Sequence, residues 1–182
     1  MVDSRGGIPR RITSESGKQN DPTWSRDGEW IYFSWDQGST RDIWRTHIKN
    51  GTRQRVTHGG GGLVGRESAD GQSVLYQPKT FDAPLLAQPL PGGAPITILP
   101  CVALTAYSVV PGGIYYVPCQ DAVHPDPNPK VHLLNPATGE NRRLGSLEGF
   151  TRDLAVSPDG QTILYSRLVS SRADLMPIQN FR

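Results

Sequence analysis

Four hairpin segments recur along this chain, with turn glycines Gly28, Gly71, Gly113 and Gly160 spaced by 43, 42 and 47 residues. A period in the low to middle forties constrains the fold more than any other property of the sequence, because it is the length of one four-stranded antiparallel unit. Three turns carry Asp-Gly (Asp27-Gly28, Asp70-Gly71, Asp159-Gly160) and one carries Gly112-Gly113. The Asp side chain supplies an acceptor within the turn, and Gly takes the positive φ that a tight hairpin needs. Each turn leads into a nearly continuous apolar run: Ile31-Tyr32-Phe33, Val74-Leu75-Tyr76, Ile114-Tyr115-Tyr116 and Ile163-Leu164-Tyr165. Such runs suit strands buried on both faces.

Two more strands are predicted in each unit. In the first, Asp42–Ile48 passes through the Asn50-Gly51 turn to Gln54–Thr57. The second unit pairs Leu85–Leu90 with Ile96–Leu99, and the third pairs Lys130–Leu134 with Asn141–Leu144. The fourth has a third strand at Ala173–Ile178 and no outer strand, whereas Ile8–Thr13, after Gly6-Gly7, reads as an outer strand without its blade. The expectation is an all-β chain, a β-propeller of about four blades of four antiparallel strands, either part of a larger propeller or a small closed ring. In this single domain, residues 1–20 give an outer strand, 21–58, 59–100 and 101–148 whole blades, and 149–182 an incomplete blade. No amphipathic helix competes for a long window.

Net charge is +2 and no Lys/Arg run exceeds two residues, which argues against a nucleic-acid groove. No apolar stretch approaches the ~18 residues of a membrane span. Met1–Gly7 lacks the apolar segment of an export signal, and the compartment is left open. Cys101 and Cys119 fit no metal pattern. Residue type favours two separate buried thiols, with a disulfide as the alternative in an oxidising compartment.

These segments resemble the WD40-like repeats of the TolB-like β-propeller family, whose blade reads roughly Trp-Ser-Pro-Asp-Gly-x-x-Ile-x-Phe, then Asp-Ile-Tyr/Trp, then Gly-Gly-x-x-x-x-Leu-Thr. The match runs through Trp24–Phe33, Asp42-Ile43-Trp44, Val56-Thr57 and Val156–Tyr165. Glu67 replaces the Trp in the second repeat, and Gly112 replaces the Asp in the third. The resemblance implies scaffolding or protein binding with no fixed chemistry. Propellers of this family usually have six or more blades, so it also implies that this chain is the C-terminal portion of one.

An open arc would leave two blade faces wet, each of roughly 300 Å² and worth at most roughly 8 kcal/mol. Closure by Ile8–Thr13, pairing of two chains, or completion by further blades would each cover them. Self-association is the favoured expectation.

In such an arc, Asn20-Asp21, His58–Gly62, Cys101–Thr105 and Gly149–Asp153 are predicted as loops between blades. They share one end with Asp36–Arg41 and the proline-rich Gln120–Pro129. That end gathers Asp21, His58, Arg66, His124, Asp126, Arg152 and Asp153 as a candidate binding rim. Gly59–Gly62 reads as a flexible connection, since it lacks the Lys-Ser/Thr of a phosphate loop. His124 and Asp126 are too sparse for a metal set, and no cofactor is expected. Trp24, Trp30, Trp35 and Trp44 are predicted to pack within the blades. No nucleophile elbow, paired-His zinc motif or flanked catalytic Cys is present. The expected function is a non-catalytic protein-interaction or scaffold module with a protein partner. The alternatives are the accessory propeller of a peptidase or other hydrolase, and a carbohydrate-binding or lyase-type propeller.

Overall fold

A computed structural model describes residues 1–169 apart from positions 39, 60, 79–81, 91 and 122, and apart from the side chain at position 104. The strand expected at Ala173–Ile178 lies outside the described residues. Every described element is a strand, and every pairing is antiparallel. Strands β1 (Lys18–Trp24), β2 (Trp30–Asp36), β3 (Arg41–His47) and β4 (Arg53–Arg55) form a first sheet in that order. A continuous meander follows: β5 (Leu63–Glu67), β6 (Ser73–Gln77), β7 (Ala83–Pro89), β8 (Ile96–Val110), β9 (Gly113–Pro118), β10 (Lys130–Leu134) and β11 (Asn141–Ser146). The hairpin β12 (Phe150–Val156) and β13 (Ile163–Arg167) comes last.

The 15-residue β8 explains why seven strands join into one sheet. Its first part, to Val102, pairs with β7, and its second part, from Val102, pairs with β9. It is thus an outer strand at one end and an inner strand at the other.

Three of the recurrent turns share one hydrogen-bond pattern. The hydroxyls of Ser25, Ser68 and Ser157 donate to Asp27, Asp70 and Asp159 at 2.5, 2.6 and 2.5 Å. The same Asp oxygens accept the backbone N–H of Glu29, Gln72 and Gln161, and the Ser oxygens accept that of Trp30, Ser73 and Thr162. These bonds satisfy the polar backbone that a turn would otherwise leave open, and they fix where the next strand begins.

The side-chain alternation of the strands divides the interior into layers. Val74 and Tyr76 pack with Tyr32 and Ile43 of the first sheet and with Val56, just after β4. The intervening Leu75 faces the other way, into a cluster with Leu85, Leu99, Tyr107, Ile114, Tyr116 and Leu134. Tyr115, Val117, Val131 and Leu133 point opposite to Ile114 and Tyr116 and meet Leu154 of the final hairpin. A period of two therefore buries both faces of the meander, as stacked sheets require. Each fully buried Leu or Val in these layers contributes about 1.5–3 kcal/mol. Gly62 and Gly65 allow the first contact: a Cβ on either would come within 2.9 Å of Ile43, so the glycine-rich stretch serves close packing in addition to connection.

The structure corrects several expectations. Residues 8–13 form no strand. Arg10 N–H donates to Met1 O and the Met1 ammonium donates to Arg10 O, so this segment closes on itself, and Ile8 is 95% exposed. Pro9 also lacks a ladder donor. Asn20-Asp21, Cys101–Thr105 and Phe150–Asp153, expected as loops, lie inside strands β1, β8 and β12. Cys101 and Cys119 are not separate thiols but a disulfide, with Cα atoms 5.4 Å apart. Trp35 is buried as expected, whereas Trp24 is 56% exposed on the outer face of the first sheet.

Candidate functional site

The innermost strands carry a feature that repeats as regularly as the turns. Asp21, Val64, Thr105 and Asp153 hold positive φ of 54°, 49°, 60° and 62°. Each lies within a register shift of its strand: between Asn20 and Thr23 in β1, Leu63 and Arg66 in β5, Val102 and Tyr107 in β8, and Arg152 and Leu154 in β12. These are β-bulges, which insert residues and re-aim the strand. Asp tolerates the left-handed region because its short polar side chain bonds locally. Val64 and Thr105 are β-branched, so their conformation is held by surrounding structure at a cost of about 1–3 kcal/mol each.

All four bulge residues line a single cavity of about 440 Å³, together with Pro22, Thr23, Arg66, Leu154, Ala155 and part of β13. Thr105 Oγ1 donates to Asp153 Oδ1 at 2.6 Å, Ser34 Oγ donates to Asp21 Oδ2 at 3.2 Å, and the Thr23 hydroxyl donates to Gly65 O. Beneath this mouth, the buried Tyr107 hydroxyl lies in hydrogen-bonding reach of Val64 O and, at 3.2 Å, Leu75 O. Burial pushes the Tyr107 phenol well above its ordinary range. The Arg66 guanidinium lies over the Tyr107 ring, 5.6 Å from its centroid.

Of the seven rim residues expected from sequence, the cavity brings together Asp21, Arg66 and Asp153. Arg152 is exposed beside it, 3.8 Å from Asp153. His58, His124 and Asp126 are exposed and line none of it; Asp126 accepts the Asn128 N–H within its own loop. Sequence reasoning missed Val64, Thr105 and Thr23. Their types carry no chemical signal, and only the bulges place them at the mouth.

Stacked antiparallel sheets with their inner strands converging on one mouth define part of a β-propeller. No family model matches the chain. It is 30% identical over 87 residues to an uncharacterized protein of Agrobacterium fabrum, a stretch covering 46% of this chain and 30% of that relative. TolB of Acinetobacter baumannii superposes with a TM-score of 0.69 at 19% identity, over 86% of this chain and 39% of that one. A TolB assignment from Agrobacterium tumefaciens gives 0.64 at 22% identity, over 91% and 64%. The fold is therefore that of a TolB-like β-propeller, and this chain spans well under two thirds of the Acinetobacter protein. The fold is shared more widely, with TM-scores of 0.53 to oligogalacturonate lyase of Vibrio parahaemolyticus (14% identity, 75% of this chain, 43% of that one) and 0.50 to acylaminoacyl peptidase of Pyrococcus horikoshii (16% identity, 76% and 26%).

Proposed function

We propose that the chain is a non-catalytic interaction module, comprising three four-stranded blades and the start of a fourth, that binds a protein partner at the mouth where β1, β5, β8 and β12 converge. The observation that carries this reading is the recurrence of strained bulges around one cavity. Backbone strain of this kind persists where a rigid scaffold holds groups for recognition. The groups around the cavity are carboxylates, hydroxyls and one guanidinium, which suit hydrogen-bonded recognition. The sequence carries no nucleophile elbow, paired-His zinc motif or flanked catalytic Cys, and a fold by itself fixes no chemistry. Apolar side chains exposed on the terminal sheets, Trp24 at 56% and Leu164 at 67%, favour self-association of this chain as a second mode of contact.

The test is to assay the purified chain for binding to an immobilised peptide library and for turnover of ester, peptide and polyuronate substrates. The expected result is saturable peptide binding that the double change Asp21→Asn with Asp153→Asn weakens at least tenfold, and no turnover. Hydrolysis or lyase activity abolished by the same changes would replace this reading with the enzyme-associated one that the peptidase and lyase likenesses raise.

A further inference from the structure

We infer that Arg66 anchors a carboxylate-bearing ligand at this mouth, an assignment that rests on the mouth being the binding surface. Arg66 is half-buried, and its Nε has no hydrogen-bond partner among the described residues. Arg41 and Arg53 also have a buried Nε without a partner, but each is joined to a carboxylate through another nitrogen, Asp36 at 3.4 Å and Glu15 respectively. Arg66 has no such pairing among the described residues. The two Nη groups also lack a partner among the described residues and, unlike Nε, are not shielded, so they are the part of the guanidinium open to a ligand in the cavity, and a carboxylate is the acceptor whose two oxygens match them. The side chain is also pre-positioned: it rests on the ring of Tyr107, which is itself wholly buried and tied to Val64 O and Leu75 O.

The neighbours of Arg66 narrow the ligand. Asp21 and Asp153 line the same cavity, so it carries two carboxylates to one guanidinium, with the exposed Arg152 3.8 Å from Asp153 beside it. A phosphate or another multiply charged anion would meet two like charges at short range. A monocarboxylate whose neighbouring groups are hydroxyls, amides or an amine would instead offer donors to Asp21 and Asp153. A cavity of about 440 Å³ accommodates a group of monosaccharide or side-chain size. A free hydroxy acid and an acidic residue of an extended peptide share this chemistry.

The probes are D-glucuronate, D-glucose, inorganic phosphate, and the peptide Gly-Ser-Asp-Gly-Ser with its Asn-for-Asp analogue. Binding is followed by calorimetry and by the Arg66 Nε–H resonance of the unaltered protein. Expected is saturable binding of at least one carboxylate probe that shifts this resonance, with no saturation by glucose, phosphate or the Asn peptide. Arg66→Gln should weaken that binding at least tenfold, and Arg66→Lys should recover part of the loss. Binding of glucuronate alone assigns a free acid, and binding of the Asp peptide alone assigns a partner's acidic side chain. The inference is overturned if no carboxylate probe saturates, if phosphate binds as tightly, or if a carboxylate binds without moving the Arg66 resonance. If Arg66→Gln leaves affinity intact while Asp21→Asn reduces it, the mouth stands and the role of Arg66 falls.

Discussion

Thr105 Oγ1 donates to Asp153 Oδ1 across 2.6 Å, joining two residues that both hold a left-handed backbone in neighbouring inner strands. The bond links β8 to β12, whose side chains also meet in the third core layer. The geometry of the mouth and the stacking of the sheets are thus parts of one construction, and perturbing either is measurable in the other.

The left-handed position of Asp21 predicts that Asp21→Val destabilises the protein by about 1–2 kcal/mol more than Asp21→Gly. Both changes remove the carboxylate that accepts the Ser34 hydroxyl, so their difference isolates the backbone. Urea denaturation with a shared m-value reads it directly. Equal stabilities would show that the β1 bulge relaxes.

Reduction of Cys101–Cys119, or the double change Cys101→Ser with Cys119→Ser, is expected to cost about 2–4 kcal/mol, because the bond closes a loop across the β8–β9 hairpin. Thermal unfolding with and without reductant measures the loss. A thiol assay of the oxidised protein in denaturant should detect no free thiol, since no other cysteine exists.

Asp42 is 2% exposed, pairs with Arg55 at 2.6 Å, and accepts the Thr57 hydroxyl at 3.1 Å, while Ile43 N–H donates to the same hydroxyl at 2.9 Å. The hydroxyl also lies 3.0 Å from Gly61 O, and Thr57→Val keeps the shape while deleting all three contacts, with an expected cost of about 1–3 kcal/mol. Thr57→Ser should recover most of it. Chemical denaturation of the three proteins decides between a polar and a merely space-filling role.

The turn carboxylates predict a pH dependence. Asp27, Asp70 and Asp159 lie below the ordinary value of 3.8, chiefly because Ser25, Ser68 and Ser157 donate to them and then because backbone N–H groups do. A folded-state pKa below the unfolded one gives stability that is present above about 3.8 and is lost as pH falls through the folded values. Carbon-detected NMR titration should therefore find these three midpoints under 3.8. The triple Asp→Asn variant should show a flatter stability profile in that acid range.

Much of the architecture was legible in the residues. The hairpins at Asp27-Gly28, Asp70-Gly71 and Asp159-Gly160, and the apolar strands after them, depend on local chemistry that neighbours in sequence supply. The motif residues Asp42 and Thr57 were visible as a pattern, though their bond was not. The rim was read in part: Asp21, Arg66 and Asp153 share a cavity, while His58, His124 and Asp126 sit in exposed segments that inner-strand geometry does not control.

The disulfide shows where local reasoning stops. The turn-side register, with Tyr107 opposite Tyr116, would continue to place Cys119 opposite position 104. The bulge at Thr105 slides the pairing by three residues, so that Val102 meets Pro118 and Cys101 meets Cys119. Local sequence alone determined the period, the turns and the two-sided burial of the strands, because those follow from φ preferences and alternation. Only the tertiary structure decided the bulges, the disulfide and the mouth. Residues as ordinary as Val64 and Thr105 take left-handed backbones only when packing from neighbouring sheets compels them.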